Sequence, residues 1–186
     1  MKFEALYFRE KTVESYGKRG TSWHGAMITY YSWNQEENVA EPQRIYLDDL
    51  IAGTNKQGSG AVFSLIEGLL IRIARDLPFI EELILQSDNA KCYLGKELLV
   101  CFGILSYVHK VKIIRFVRTE TQDGKSPLDG HFARAQEWIR NWILLNNNAL
   151  TAAQIVTGLR SNGGMPNSIS QLVELDMDKS RQFSLF

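Results

Sequence analysis

Cysteine is nearly missing from this chain: Cys92 and Cys101 are its only examples, and neither sits in a CxxC pair or a His-bearing zinc pattern. A reduced compartment, cytoplasm or nucleus, is the simplest expectation. Net charge is missing too, because 21 basic and 21 acidic residues cancel. Bulk electrostatics therefore argues for no nucleic-acid partner, and binding of that kind has to come from local patches. Long apolar runs are also lacking. The longest, Leu98 to Val108, is broken by Gly103 and Ser106 and is too short to span a bilayer. The opening residues, Met-Lys-Phe-Glu-Ala-Leu-Tyr, carry charge where a signal peptide needs its apolar stretch. The expectation is a soluble, unexported protein with no membrane partner. No repeat or low-complexity tract interrupts the chain.

What is present is a globular balance, 45% hydrophobic and 23% charged over 186 residues, enough for one domain with a short appendage. Phe3 to Phe8 is an aromatic-rich run that reads as a strand. His24 to Trp33 reads as a second strand, rich in aromatic and β-favouring residues. Asn34 to Pro42 is polar and turn-like, and Arg44 to Ile51 reads as a third strand carrying Ile45, Leu47 and Leu50. The period then changes. Val62, Leu65, Ile66, Leu69, Leu70 and Ile73 fall at helical spacing, and Pro78 ends that helix.

Ile80 to Gln86 reads as a buried strand, Lys96 to Val108 as a mostly buried helix, and Val111 to Val117 as a β-branched strand. Asp129 opens a last core helix with Phe132, Ala135, Ile139, Trp142 and Ile143 on one face. A short helix at Thr151 to Leu159, a Gly-Gly-Met-Pro turn and a polar C-terminus follow. The order βββ-α-β-α-β-α is that of an α/β fold with three antiparallel strands first and parallel pairing later.

Two carboxylates fall where such an architecture places active sites. Asp88 follows the end of a strand, where an open parallel sheet leaves its crevice. Asp129 follows a Gly- and Pro-containing loop. In a three-strands-first topology both places converge at one sheet edge, and converging carboxylates suit Mg²⁺ or Mn²⁺, hard cations that prefer oxygen ligands. The plainer readings stand beside these: Asp129 is also a good N-cap, and Asp88-Asn89 is ordinary turn chemistry. Lys110, Lys112, Arg115, Arg118 and Lys125 form a basic stretch that suits either phosphate contacts or a solvated face. His131 reads as a surface or capping histidine rather than a proton shuttle. Trp138 and Trp142 read as core and rim, and the two cysteines as small buried hydrophobes.

Ser87-Asp88-Asn89-Ala90 after a strand, followed by the segment Thr119-Glu120-Thr121-Gln122-Asp123-Gly124-Lys125-Ser126-Pro127-Leu128-Asp129-Gly130-His131-Phe132, resembles the core of DDE-type transposases of the RNase H-like superfamily. The stretch from Tyr16-Gly17-Lys18-Arg19-Gly20 to Ser22-Trp23-His24-Gly25 is similar to such elements as well. The resemblance spans about Met1 to Asn146. It implies an RNase H-like core over 1–146, a mixed five-stranded sheet of order 3-2-1-4-5 flanked by helices, and a partly helical C-terminal appendage over 147–186.

It further implies polynucleotidyl transfer or nuclease chemistry on DNA with Mg²⁺ or Mn²⁺ held by three or four carboxylates. Asp88 matches the strand-four position and Asp129 the last-helix position. The family's first-strand Asp has no counterpart before Asp48, so the resemblance implies that it lies just upstream of Met1. Glu4 is the acidic residue of that strand able to stand in for it. Lys91, Arg118 and Lys125 are the implied DNA contacts, DNA is the implied partner, and a homo-oligomer is compatible. The alternative is a domesticated, catalytically inactive relative that binds DNA or protein.

Overall fold

The computed structural model describes residues 2–3, 21–52, 59–88, 93, 96–119 and 126–174. Its elements run β1 (Lys2–Phe3), β2 (Thr21–Asn34), β3 (Val39–Ile51), α1 (Ser59–Asp76), β4 (Glu82–Asp88), α2 (Lys96–His109), β5 (Lys112–Thr119), α3 (Pro127–Leu144), α4 (Ala152–Arg160) and β6 (Ser168–Val173). The chain is α/β, and the expected βββαβαβα order is present with α4 and β6 added after it. Two compact units divide it: residues 1–55 with 125–174, and residues 56–124 with 175–186.

The first unit is built on a long hairpin. β2 and β3 pair antiparallel from Trp23↔Leu50 out to Asn34↔Val39. The connection is shorter than the expected Asn34-to-Pro42 turn. It occupies residues 35–38, because the Asn34 side chain accepts the Glu36 and Glu37 N–H groups and Asn38 takes the left-handed conformation at φ 55°. Pro42 lies inside β3, opposite Tyr31, and β6 reaches β3 only at Tyr46–Ile51. The missing proline N–H therefore falls where β3 has a neighbour on one side only among the described residues. β1 pairs antiparallel with the start of β2; residues 4–8 of the expected first strand lie outside the described residues.

β6, in what had read as a polar tail, pairs parallel with β3 and makes the sheet β1-β2-β3-β6 mixed. Gly163 and Gly164, at φ 84° and 82°, supply the left-handed backbone that turns the chain from α4 toward it. The core joins residues from both ends of the unit. Trp23 and Leu50 of the hairpin, Ala135, Ile139 and Ile143 of α3, and Ile155, Val156 and Leu159 of α4 form one buried cluster. Two glycines allow the close approaches it needs. A Cβ on Gly25 would stand 2.3 Å from Phe132 Cζ, and one on Gly158 would stand 2.8 Å from Trp142 Cε3.

In the second unit β4 and β5 pair parallel, with α2 as the crossover between them. α1 buries Val62, Leu65, Ile66, Leu70 and Ile73, as its spacing predicts, and stops at Asp76 before Pro78. α2 departs from the expectation of a mostly buried helix. Leu98, Cys101, Phe102 and Leu105 are buried, but Val100, Ile104, Tyr107 and Val108 form a second, exposed apolar stripe. β4 is likewise half-exposed rather than buried, with Ile84 facing out. Phe102 packs edge-on against Phe116 of β5, and Ser106 Oγ accepts the Ile113 N–H at 3.0 Å, which ties the helix to the strand. Among the described residues no helix is long and apolar enough to cross a membrane.

Candidate functional site

Parallel pairing puts the ends of β4 and β5 at the same edge. Asp88, the last residue of β4, stands opposite Thr119, the last of β5, and Ser87 stands opposite Arg118. Thr119 Oγ1 donates to the Ser87 carbonyl at 3.2 Å and fastens the two ends together. The Arg118 guanidinium is exposed and lies 6.0 Å from the Phe116 ring centroid, within cation–π range. This is the carboxyl edge of a parallel pair, where α/β sheets put their chemistry, because the crossover helices leave that edge open.

The basic stretch does not act as one patch. Lys112 sits at the other end of β5, bonded to Glu82 at 3.2 Å, and Lys110 lies over the Tyr107 ring. Six residues of strand, about 20 Å, separate Lys112 from Arg118, so of the described basic residues Arg118 alone shares the edge with Asp88. Glu4, Lys91 and Lys125 lie outside the described residues.

Asp129 holds the start of α3, though not as its N-cap. Ser126 is the cap and Pro127 the first helical residue, which leaves Asp129 at the third position. The two residues close a capping box: Ser126 Oγ accepts the Asp129 N–H, and Asp129 Oδ2 accepts the Ser126 N–H at 2.9 Å. The Ser126 hydroxyl also donates to Oδ2 at 2.9 Å. The two bonds that the carboxylate accepts both fall on Oδ2, and the residue is exposed. Among the described residues no group of three or more His, Cys, Asp and Glu is placed to hold a metal ion.

A polar cluster in the first unit was missed by sequence reasoning. Asp48 of β3 is fully buried and accepts from three side chains: Trp23 Nε1 at 2.9 Å, Ser168 Oγ at 2.8 Å, and His131 Nε2 at 2.9 and 3.0 Å from its two oxygens. His131 stacks on Tyr46 with centroids 4.3 Å apart and planes 1° from parallel. The expectation of a surface or capping histidine is thus corrected, since His131 is buried. The signal was its spacing: His131, Ala135, Ile139 and Ile143 fall four apart on the buried stripe of α3. A carboxylate this enclosed meets no substrate. Its chemistry is cohesion, joining β2, β3, α3 and β6 through one acceptor. Nearby, His24 pairs in register with Asp49; burial pushes its imidazole below the ordinary range, while the Asp49 charge pulls the other way.

These geometries define an α/β protein with one candidate carboxylate residue at a strand end and an exposed one at a helix start, and with a polar cluster sealed in a core. No protein-family model matches the chain, and no curated protein or solved structure matches it.

Proposed function

We propose that the chain is a transposase-derived, RNase H-like domain of the polynucleotidyl-transfer and nuclease class, with DNA as its partner and the nucleus or cytoplasm as its location. The observation that carries this reading is Asp88 ending β4 opposite Thr119 of a parallel neighbour, after three antiparallel strands and one helix. The antiparallel pairing of β1, β2 and β3 and the parallel pairing of β4 with β5 support this reading.

On this reading Asp88, Asp129 and a first-strand carboxylate would hold Mg²⁺ or Mn²⁺. Such a pair of ions, when bound, activates the attacking water and stabilises the leaving oxygen of a phosphodiester. Arg118, with Lys91 and Lys125, grips the flanking phosphates. Glu4 is the first-strand ligand that this reading assigns. Glu4 is one methylene longer than Asp, and a misplacement of about 1 Å costs roughly 10²-fold in rate. If Glu4 does not reach the site, a second reading holds: an inactive relative that binds DNA or protein without cutting it.

Nicking of supercoiled plasmid with Mn²⁺ tests the first reading. The 186-residue chain should nick at trace level, Asp88→Ala should not nick, and an N-terminal extension that supplies an Asp should raise the rate. Activity that survives Asp88→Ala would place the chemistry elsewhere. If no nicking appears but Arg118→Glu weakens DNA binding, the second reading holds.

A further inference from the structure

Past its base, the β2–β3 hairpin leaves the rest of its unit behind. Near the base, one face of the hairpin lies under α3, with Gly25 against Phe132 and Asp48 against His131. The same face continues outward as Thr29, Tyr31 and Trp33 on β2, opposite Arg44, Pro42 and Ala40 on β3, and all six residues are exposed. Tyr31 is 68% exposed and Trp33 62%. The other face of this arm carries Val39, half-buried Tyr30 and side chains bonded to one another: Asn34 Nδ2 donates to Glu41 Oε1 at 2.7 Å, and Gln43 Nε2 donates to Ser32 Oγ at 3.0 Å. Tyr31 and Trp33 are thus the arm's two exposed aromatics. Contiguous exposed aromatics of this kind mark an interaction surface.

We infer that this arm is a self-association surface, two copies of the chain packing arm to arm about a two-fold axis. The charges select that occupant. The strand rise is about 3.4 Å per residue. Arg44, paired with Thr29, thus lies about 7 Å to the base side of the Tyr31↔Pro42 pair, and the turn carrying Glu36 and Glu37 lies about 7–10 Å to the tip side of the Trp33↔Ala40 pair. The midpoint between the two charges falls between Tyr31 and Trp33. A second arm laid antiparallel across that midpoint sets Trp33 over the partner's Tyr31 and Arg44 against the partner's Glu36 and Glu37, in the self-complementary manner of an isologous contact. Single-stranded nucleic acid also stacks on aromatic faces, but its phosphates would meet the two tip carboxylates beside Trp33. The patch is small. Two aromatics bury about 150–250 Å² each against the roughly 800 Å² per partner of a stable interface, so the dimer is weak and reversible.

Sedimentation equilibrium across low to high micromolar protein is the test. The chain should show a concentration-dependent dimer. Arg44→Glu should weaken it about tenfold or more, as should the pair Glu36→Arg and Glu37→Arg. All three changes together should restore it, because the charges are then exchanged. Tyr31→Ser with Trp33→Ser should leave a folded monomer, with far-ultraviolet circular dichroism unchanged at these exposed sites. A monomer at every concentration, association indifferent to Arg44→Glu, or failure of the triple variant to recover would each overturn the inference. So would a monomer that binds an oligonucleotide through Trp33, which would assign the face to nucleic acid instead.

Discussion

His131 Nε2 lies 3.0 Å from one carboxylate oxygen of Asp48 and 2.9 Å from the other, and neither residue reaches solvent. For this contact to be a hydrogen bond, Nε2 must carry the proton. Asp48 is thereby the common acceptor for donors from three other elements, and removing it leaves those donors in the core without their acceptor. Asp48→Ala should cost about 3–5 kcal/mol, the scale for breaking a buried, charge-assisted network. Ser168→Ala, which deletes one donor, should cost only about 1 kcal/mol. Urea unfolding reads both; a loss under about 1 kcal/mol for Asp48→Ala would contradict the network.

Gly25 and Gly130 should respond to alanine in opposite directions. Gly25→Ala drives a methyl to 2.3 Å from Phe132 Cζ, within the hairpin's contact with α3, and should destabilise by about 1–3 kcal/mol. Gly130 meets nothing within 4 Å, so Gly130→Ala should stabilise α3 by about 0.5–1 kcal/mol. Thermal melts of both, and of Gly25→Ala combined with Phe132→Leu, decide it. The double variant should recover part of the loss, because the leucine leaves room for the new methyl.

His24 predicts acid sensitivity. Its pKa is lowered in the folded protein, chiefly by burial, so the unfolded chain takes up the proton first as pH falls. Stability contributed above the unfolded value, about 6.5, declines below it and levels off once the folded histidine is also protonated. Denaturant unfolding at about pH 7.5 and about pH 5.5 should show the drop, and His24→Gln should flatten it. An unchanged slope in that variant would assign the sensitivity to other groups.

Asp129 has two separable readouts. As the third residue of a capping box it should be worth about 0.5–2 kcal/mol to α3, so Asp129→Ala should lower the melting temperature with or without divalent metal. As a metal ligand it should in addition make Mn²⁺ stabilising in the parent chain and not in the variant. If Mn²⁺ stabilises both proteins alike, Asp129 is a cap and nothing more.

Much of the fold was legible because its causes are local. The 3.6-residue spacing from Val62 to Ile73 and the Pro78 stop define α1, and the β-branched residues from Val111 to Val117 define β5. The polar gap after Asn34 marks a hairpin, although its width was overread, since the Asn34 side chain closes the turn within four residues. Helices alternating with the later strands predicted the parallel β4–β5 pair. Asp88 and Arg118 fall at one edge because that pairing ends both strands together.

The rest had to wait for the tertiary structure, because it depends on partners distant in sequence. Asp48 and His131 are 83 residues apart, and nothing adjacent to either shows that the other will be its partner. Burial of a polar side chain is decided by what reaches it, so a histidine at the start of a helix reads as a surface group until a carboxylate is found beneath it. β6 is a six-residue segment with little apolar periodicity of its own; it is a strand because β3 offers an unpaired ladder there. The second apolar stripe of α2 made that helix look buried, and only the packed chain shows which side is covered. Local spacing determined the elements, their order and the direction of their pairing. Long-range packing decided which of their polar groups are sealed in the core and which remain at an open edge, because that choice depends on desolvation by residues far away in the chain.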